Sequence, residues 1–392
     1  MIDVFLCKSA RTPIGRFGGA LAAIRPDDLA AHVIDALVAD PAWPIDEVIF
    51  GCANQAGEDN RNVARMAVLL SKLPASVPAL TVNRLCASGL DAMILGARSI
   101  AQGAAQMVIA GGVESMSRAP FVMPKAETAF SRRAEIYDTT IGWRFVHERI
   151  AKVHGIDSMP ETAENVAGAY SIARIDQDAY ALRSQTRYDP AWHATDIAPI
   201  TARGPKGEPV IIAKDEHPRA TTAEKLRLLP TPFRNNGTVT AGNASGINDG
   251  AAALLLASAT AMRRYGLTPL ARIGQAASAG VEPRLMGLGP IEAVKKLSLL
   301  NGLAPGDYDV IELNEAFAAQ VLACTRAWGL ADDAPQLNAR SGGISMGHPL
   351  GMTGARIAAA AARRLHEGGG KHALVTLCVG VGQGVALALM AP

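Results

Sequence analysis

The chain has 392 residues, 49% hydrophobic and 19% charged, which is enough for two or three domains with well-filled cores. Its formal net charge of +2 includes no large basic block, which argues against a nucleic-acid-binding protein. The longest apolar runs, 251–257 and 385–391, are far shorter than the ~20 residues of a membrane-spanning helix, so we expect no contact with a membrane.

The five cysteines are widely spaced and form no C-x-x-C pair. This spacing argues against a disulfide framework or a zinc ribbon and indicates a reducing compartment. No histidine pair has the H-E-x-x-H spacing, so we expect no metal site. The first six residues read as the start of a strand and lack the features of a signal peptide, so we expect a cytoplasmic protein.

The first third of the chain alternates between strand and helix patterns. Apolar spacing predicts strands at 2–7, 47–51, 78–82 and 106–111, and helices at 26–40, 62–73 and 90–102. The run 78–82 reads as a buried strand. Strands that alternate with helices at this spacing predict βαβ units on a parallel sheet.

The character of the sequence changes between about 114 and 242. Strand patterns are scarce there, charged residues and prolines are frequent, and helices are predicted at 162–167 and 176–187. A long irregular insertion in an α/β domain is usually functional, as a lid or binding region, although it can also serve oligomerisation. Both interpretations stay open.

Alternation returns in the last third, with strands predicted at 271–275, 310–313, 372–378 and 385–390, and helices at 290–300, 315–328 and 347–365. The two ends of the chain are alike in outline. In each, a helix begins at a chemically active residue, Cys86 or His348, and is followed by a strand that ends in glycines. Two related halves would place these residues face to face across a pseudo-twofold axis.

Cys86 lies where a predicted strand leads into a predicted helix. The unpaired N–H groups of a helix start favour a thiolate and lower the pKa of a cysteine. A lone cysteine is more often a small buried hydrophobe. Its polar and small neighbours, Asn83, Arg84, Ser88 and Gly89, favour a functional residue here.

Three further signatures accompany Cys86. His348 stands in Gly-His-Pro-Leu-Gly, where flanking glycines allow a substrate to approach closely. Cys378 is followed by glycines at alternate positions, whose N–H groups can form an oxyanion hole. Asn314 is at a strand-to-helix junction, where it can cap the helix or hold a water or a carbonyl oxygen.

These groups suit one chemistry. A thiolate can take an acyl group, a base can activate it, and a second thiol can move a proton at carbon or sulfur. The set therefore predicts cleavage or formation of a carbon–carbon bond at a thioester. A cysteine protease has no use for the second cysteine and its glycine loop.

The sequence resembles the thiolase family over essentially its full length. The motifs that carry the resemblance are Asn83–Gly89, Gly111–Ser117, Thr240–Gly246, Asn314–Phe317, Gly347–Gly351 and Cys378–Gly380. The resemblance implies an α/β fold of two similar halves in five α-β-α-β-α layers, with an inserted loop domain. We expect an N-terminal half at 1–118 plus 243–268, the loop domain at 119–242, and a C-terminal half at 269–392. A homodimer or a homotetramer built as a dimer of dimers is also implied.

The resemblance also implies roles for the site residues. Cys86 would be the acylated nucleophile, His348 its base, and Cys378 the acid and base for the acetyl-CoA carbanion and the incoming CoA. Asn314, acting through a water, and His348 would form one oxyanion hole. The N–H groups of Cys86 and Gly380 would form the other.

Acyl-CoA and CoA are the implied partners, and no separate cofactor is implied. The resemblance places contacts to CoA at Ser158, Met159, Arg219, Ala241, Ser245, Ala316 and Phe317. Within the family, the segments 137–145, 157–165 and 215–219 are similar to those of 3-oxoadipyl-CoA thiolases of aromatic catabolism. The alternatives are an acetoacetyl-CoA or broad 3-ketoacyl-CoA thiolase and, from another class, a non-catalytic CoA- or lipid-binding relative.

A substrate that ends in a carboxylate needs a cation or N–H donors near its pocket. Arg144 or Arg132 can supply the cation, although a solvated surface arginine is the commoner case for either.

Two segments depart from the family pattern. Ser341 stands where relatives usually have the first glycine of a pair, so a positive φ there would cost ~1 kcal/mol or more. We expect a locally shifted loop that still presents His348. The segment 188–193 is shorter than usual, which we expect to affect only the surface.

Overall fold

A computed structural model describes residues 2–38, 43–204 and 206–392. The strands of its main sheet form two matching sets. The elements of the first set and its helices are β1 (Val4–Arg11), β2 (Gly15–Arg16), α1 (Pro26–Leu37), β3 (Glu47–Gly51), α2 (Val63–Leu70), β4 (Ala79–Val82), α3 (Ser88–Ala101) and β5 (Met107–Ser115). The predicted end of α1 near residue 40 lies outside the described residues. The predicted helix 62–73 is shorter, because Asn62 caps it with its side chain and Ser71 is already extended.

Two short hairpins and five helices follow in the described part of the region between β5 and the next long strand. They are β6 (Phe121–Val122), β7 (Tyr137–Asp138), α4 (Glu148–His154), α5 (Met159–Ala169), α6 (Arg174–Thr186), α7 (Pro190–Ala194), β8 (Ile200–Arg203), β9 (Pro209–Ile212) and α8 (Ala223–Arg227). The helices predicted at 162–167 and 176–187 are therefore present. The two hairpins were not predicted, because strands of two to four residues leave little periodic signal.

The remaining elements return to the main sheet and complete the second set. They are β10 (Asn248–Ser258), α9 (Ala259–Arg264), β11 (Ala271–Gly280), α10 (Gly289–Asn301), β12 (Val310–Leu313), α11 (Ala318–Ala327), α12 (Gly343–Met346), α13 (Leu350–His366), β13 (His372–Val379) and β14 (Gln383–Met390). The predicted helix 347–365 is divided, so that His348 lies in the turn between α12 and α13. Within the described ranges, no helix is long and apolar enough to cross a membrane.

The sheet is mixed. The predicted parallel βαβ units are confirmed for β3, β4 and β5, but the prediction was wrong for the sheet as a whole. The strand order is β4-β3-β5-β10-β1 in the first set and β12-β13-β14-β11 in the second. In the first set β3 is parallel to both β4 and β5, whereas β10 is antiparallel to β5 and β1. In the second set β12 and β13 are parallel, and β14 is antiparallel to β13 and β11. A parallel bridge between Ile311 and Leu337 takes the place of β4, so the two sets share one topology.

The hydrophobic cores divide the molecule into five layers. Along β10, Ala252, Leu254 and Leu256 face a central core, while Leu255 and its alternate neighbours face an outer one. The central core contains α3 and α13, and the outer core of the first set contains α1 and α2. A third core packs α10 and α11 against the second set. The order α-β-α-β-α is the one that the resemblance implies, and the strands connect through a short pairing of β1 with β11.

The strand β4 was predicted to be buried, and this prediction was wrong. It forms the edge of the first set, pairs with β3, and is half-exposed along its length. Leu80 on this strand keeps 44% of its surface exposed. An edge strand can be as apolar as a buried one when another surface covers it, so the sequence pattern does not distinguish the two.

The loop before His348 has the backbone conformation that its sequence disfavours. Ser341 is buried and has a φ of +83°, in the left-handed region. Its hydroxyl contacts that of Ser345, which also donates to the Gly342 carbonyl at 3.1 Å. The positive φ that the family pattern suggests for this position is therefore confirmed.

The segment 188–193 does more than cover the surface, so that prediction was wrong. His193 is buried, and its Nε2 donates to the Arg340 carbonyl at 2.7 Å. The guanidinium of Arg340 pairs with Asp189 at 3.1 Å. Tyr188 stacks on the His193 ring at 5.0 Å with planes 7° apart. The segment thus holds the loop that leads to His348.

The backbone at position 341 can be tested by comparing Ser341→Gly with Ser341→Ala. Both variants lose the hydroxyl, but only alanine keeps the cost of a Cβ at positive φ. We expect the glycine variant to have a free energy of unfolding about 1 kcal/mol higher than the alanine variant in denaturant titrations. Equal stabilities would show that this backbone strain is absent.

His193 makes stability depend on pH. Burial, followed by the nearby Arg11 charge, lowers the pKa of His193 to about 4. Below about pH 6.5, the pKa of His193 in the unfolded chain, the unfolded chain binds a proton that the folded chain does not bind. Stability is therefore lost as the pH falls. Between about pH 7.5 and 5.5 we expect the wild type to lose about 1.4 kcal/mol more than His193→Gln.

Denaturant titrations of both proteins at the two pH values measure this difference. Because other groups titrate in both proteins, their contributions cancel in the comparison. Parallel pH dependences would contradict a neutral buried imidazole at position 193.

Candidate active site

Cys86 lies in a one-turn 3-10 helix, Leu85–Ala87, that leads directly into α3. Leu85 has a φ of +44°, and Asn83 Oδ1 accepts its N–H at 2.8 Å. The Ser88 hydroxyl closes the turn, since it donates to the Leu85 carbonyl at 2.7 Å. A sharp turn of this kind directs the thiol away from the sheet and toward a cavity that it lines.

The expected lowering of the Cys86 pKa by the helix start was wrong. Burial raises this pKa to about 11, although the N–H groups of Gly380 and of Cys86 itself point at the sulfur and oppose the effect. The loss of hydration therefore outweighs the helix dipole. In the free protein the sulfur is a thiol, and it needs a base to become a nucleophile.

His348 is held as a neutral imidazole whose Nε2 carries no proton. Its Nδ1 lies 2.7 Å from the Thr353 hydroxyl, which itself donates to the Pro349 carbonyl at 2.8 Å. The hydroxyl can therefore only accept from the ring, so Nδ1 carries the proton and Nε2 does not. Burial, followed by the Arg356 charge, lowers the pKa of His348 to about 3. The ring is thus an unprotonated base at neutral pH.

Two asparagines contact His348, and one of them fits this tautomer. Asn314 Nδ2 lies 3.3 Å from Nε2 and can donate to it, while Asn314 Oδ1 is buried without a hydrogen-bond partner among the described residues.

The second asparagine, Asn248, holds the backbone turn at His348. Its Oδ1 accepts the His348 backbone N–H at 2.9 Å. Gly347, at a φ of +102°, lies so close to Asn248 that a Cβ would fall 2.5 Å from its Cγ. Only glycine fits this turn.

Cys378 and Gly380 lie where β13 turns toward β14. Burial, followed by the nearby Cys86, raises the pKa of Cys378 well above its usual range, so this sulfur is a protonated thiol. The Gly380 N–H points at the Cys86 sulfur. The structure therefore places the Cys378 thiol and the Gly380 N–H beside the Cys86 sulfur, and the Asn314 amide beside the His348 ring.

The two helices that carry these loops touch at glycines. A Cβ on Gly89 would collide with the Gly351 carbonyl oxygen, so the backbones of α3 and α13 are in contact. Cys86 precedes Gly89 by three residues, and His348 precedes Gly351 by three. The helices that follow Cys86 and His348 therefore meet within one turn of these two residues.

The residues proposed to contact CoA fall into three groups. Ser158 and Met159 line the cavity beside Cys86. Ala316 and Phe317 share a small apolar cluster with Cys378, against which Met159 packs, and the Ser245 N–H donates to the Ala316 carbonyl at 2.9 Å. Arg219 is exposed, and its Nη2 donates to the Ala241 carbonyl at 2.7 Å.

Glu114 is a buried carboxylate whose importance the sequence analysis missed. It accepts the N–H groups of Ala53, Asn54 and Gly351 at 2.8–3.0 Å and lines the cavity. Burial raises its pKa to about 7. A charged residue inside a strand with an unbroken run of buried residues is the signal that could have revealed it.

Cys52 and Asp59 lie beside Glu114, and the ligand atoms of the three residues are within 4.8 Å of one another. Their side-chain atoms already form hydrogen bonds within the protein. The Cys52 thiol donates to Asp59 at 3.5 Å, and Asp59 accepts the N–H groups of Gln55 and Gly57. These hydrogen bonds account for the cluster without an ion.

Comparisons with known proteins agree with this geometry. The profile "Thiolase, N-terminal domain" matches residues 4–260, and "Thiolase, C-terminal domain" matches residues 267–391. The chain is 58% identical to the beta-ketoadipyl-CoA thiolase of Pseudomonas putida, over 99% of both chains. It is also 58% identical to the 3-oxoadipyl-CoA/3-oxo-5,6-dehydrosuberyl-CoA thiolase of Escherichia coli K12, over 99% of both chains.

The crystal structure of the Bacillus anthracis acetyl-CoA acetyltransferase superposes with a TM-score of 0.91 at 39% identity, covering 100% of this chain and 99% of that one. Fold, sequence profile and full-length similarity lead to the same conclusion: the chain belongs to the thiolase family.

Proposed function

We propose that this thiolase cleaves 3-oxoadipyl-CoA with CoA to give succinyl-CoA and acetyl-CoA, through an acyl group carried on Cys86. The observation that carries the chemistry is the Cys86 thiol on the cavity wall, with the N–H groups of Gly380 and Cys86 at its sulfur. The helix that carries it, α3, packs backbone to backbone against α13, which directly follows the unprotonated imidazole of His348. The substrate is supported by the two relatives at 58% identity, both named for 3-oxoadipyl-CoA under one of its two names.

In the first half-reaction, His348 Nε2 takes the proton of the Cys86 thiol, and the sulfur attacks the 3-keto carbon of the substrate. The keto oxygen becomes an oxyanion, which the N–H groups of Cys86 and Gly380 stabilise. Such donors are worth ~3–4 kcal/mol each in acyl transfer. When the oxyanion collapses, the bond between C2 and C3 breaks and a succinyl group remains on Cys86.

The electron pair of that bond leaves as the enolate of acetyl-CoA. A water held by Asn314 Oδ1, together with the His348 imidazolium, stabilises the enolate oxygen, and the Cys378 thiol protonates its carbon. The high pKa of Cys378 suits this step, because the thiol is kept protonated until a strong carbon base forms.

In the second half-reaction, CoA replaces acetyl-CoA, and the Cys378 thiolate removes the proton of its thiol. The CoA sulfur attacks the succinyl thioester, and succinyl-CoA leaves. Cys86 departs as a thiolate and recovers its proton from His348. All three proton carriers return to their starting forms, so the cycle needs no cofactor beyond CoA as a substrate.

The proposed CoA site runs from the cavity to the rim, with Ser158 and Met159 inside and Arg219 outside. The insertion at 119–242 would then act as the CoA-binding loop domain between the two halves, 1–118 plus 243–268 and 269–392. Ser245, Ala241, Ala316 and Phe317 would line the pantetheine arm. The five cysteines are free thiols, which supports a reducing, cytoplasmic location.

A homo-oligomer completes the proposal. Edge strand β4 offers its unpaired backbone groups beside Leu80, and Leu69 and Leu70 on the adjacent helix are each 53% exposed. A second copy that pairs with this edge would cover them. Exposed apolar side chains in the insertion, such as Phe130, support a second contact and thus a dimer of dimers.

The rival activity is a broad 3-ketoacyl-CoA or acetoacetyl-CoA thiolase, and the rival class is a non-catalytic CoA-binding protein. In the absence of CoA, we expect 3-oxoadipyl-CoA to leave a succinyl group on Cys86, detected by peptide mass spectrometry. Cys86→Ala should lose both the adduct and thiolysis, while the control Cys7→Ala, a buried thiol on β1, should keep both.

With CoA present, we expect a higher kcat/KM for 3-oxoadipyl-CoA than for acetoacetyl-CoA. A preference for acetoacetyl-CoA would favour the broad thiolase. Full thiolysis by Cys86→Ala would overturn the mechanism itself.

The tautomer of His348 gives a second test. Thr353→Val removes the acceptor for Nδ1–H at nearly constant volume, so the ring is no longer held in the tautomer whose Nε2 is unprotonated. We expect kcat to fall ~10- to 100-fold, the usual range when a partner that orients a functional imidazole is lost. Thr353→Ser keeps the oxygen and should retain most of the activity, and a valine variant as active as wild type would contradict the role.

A further inference from the structure

Arg144 lines the same cavity as the Cys86 thiol. This cavity has a volume of about 180 Å³ and presents mainly apolar surface. Among the described residues that line it, Arg144 is the one with a positive charge. Arg132, the other arginine that the sequence offered for a carboxylate, is exposed and does not line this cavity.

The charge of Arg144 is unused within the protein. Its half-buried side chain has no ion pair or hydrogen bond with any described residue. The two acidic residues of the cavity already have partners. Asp157 pairs with Arg284 at 2.9 Å and accepts from Asn165 at 2.7 Å, and Glu114 accepts three backbone N–H groups. The cavity thus offers a cation and no free anion.

The loop that carries Arg144 is fixed on both sides of the cavity. At its start, buried Thr139 accepts from Asn54 Nδ2 at 3.1 Å through its carbonyl oxygen and donates its hydroxyl to the Pro120 carbonyl at 2.6 Å. Next to Arg144, the Trp143 indole N–H donates to the Asp157 carbonyl at 3.4 Å. The backbone at Arg144 is therefore held in place before any substrate binds, which reduces the entropy lost on binding.

We infer that Arg144 is the specificity residue that receives the terminal carboxylate of the acyl chain. This inference rests on the proposed function. In a succinyl group on Cys86, three carbon–carbon bonds of ~1.5 Å follow the thioester carbon, so the carboxylate lies roughly 5 Å from the sulfur. A guanidinium on a wall of the same cavity can bind both carboxylate oxygens. In a mainly apolar cavity such a pair is screened little by water.

The experiment compares two substrates that differ at one end. 3-Oxoadipyl-CoA ends in a carboxylate, and 3-oxohexanoyl-CoA has the same six-carbon chain ending in a methyl group. For Arg144→Gln we expect kcat/KM to fall ~10- to 100-fold with 3-oxoadipyl-CoA and to stay within about twofold with 3-oxohexanoyl-CoA. Arg144→Lys should recover part of the loss, and Arg132→Gln, the matched surface control, should behave as wild type.

The ratio of the two kcat/KM values separates the possible failures. An equal loss with both substrates would show that Arg144 binds CoA or supports the loop, and would overturn the inference. An unchanged ratio and rate in Arg144→Gln would overturn it as well. A wild-type enzyme that prefers 3-oxohexanoyl-CoA would refute the proposed substrate itself, whatever the variants do.

Discussion

The contact between the backbones of α3 and α13 is the constraint on which the site depends. Two helices usually lie 8–10 Å apart because side chains separate them. Here Gly89 on α3 and Gly354 on α13 remove that separation. A methyl group on Gly89 would collide with the Gly351 carbonyl oxygen, and one on Gly354 would collide with the backbone nitrogen of Leu90. Each helix follows a loop with a reactive side chain. The distance between a thiol from one half and an imidazole from the other is therefore set by the main chain, which is stiffer than any side-chain packing.

Two buried carboxylates support the loops on either side of this contact. Glu114 takes the Gly351 N–H and two N–H groups of the loop after β3. In the other half, Glu315 accepts from Tyr180, Ser184 and the Ile344 N–H at 2.6–3.1 Å. Burying a carboxylate is unfavourable unless donors surround it, so each loop must keep its N–H groups in place for the fold to be stable. Stability and the geometry of the site are coupled in this way.

Much of the arrangement could be predicted from local sequence. Helix and strand periods located the elements near Cys86, His348 and Cys378, because each lies beside a long, regular segment. The mixed sheet was missed because β10 reads as a continuous apolar run, which fits a parallel or an antiparallel strand. Asn248 and Glu114 were missed because they bind His348 and Gly351, which are far away in the sequence. Thr353 was missed because nothing in the pattern of α13 distinguishes it from the other residues of the helix. The choice between Arg144 and Arg132 also required the folded chain, as both are arginines in an irregular region.

The pairing of β1 has a consequence for how the protein is made. Val4 pairs with Ser258, and Leu6 pairs with Ala271, so both strands that pair with β1 come later in the chain than residue 247. Until β10 has been synthesised, β1 and the edge of β5 that pairs with β10 have no partners. Such late, non-local pairing slows folding and leaves unpaired strand edges that can aggregate with other chains. We therefore expect a nascent chain of this topology to depend on chaperones more than a helical protein of equal length would.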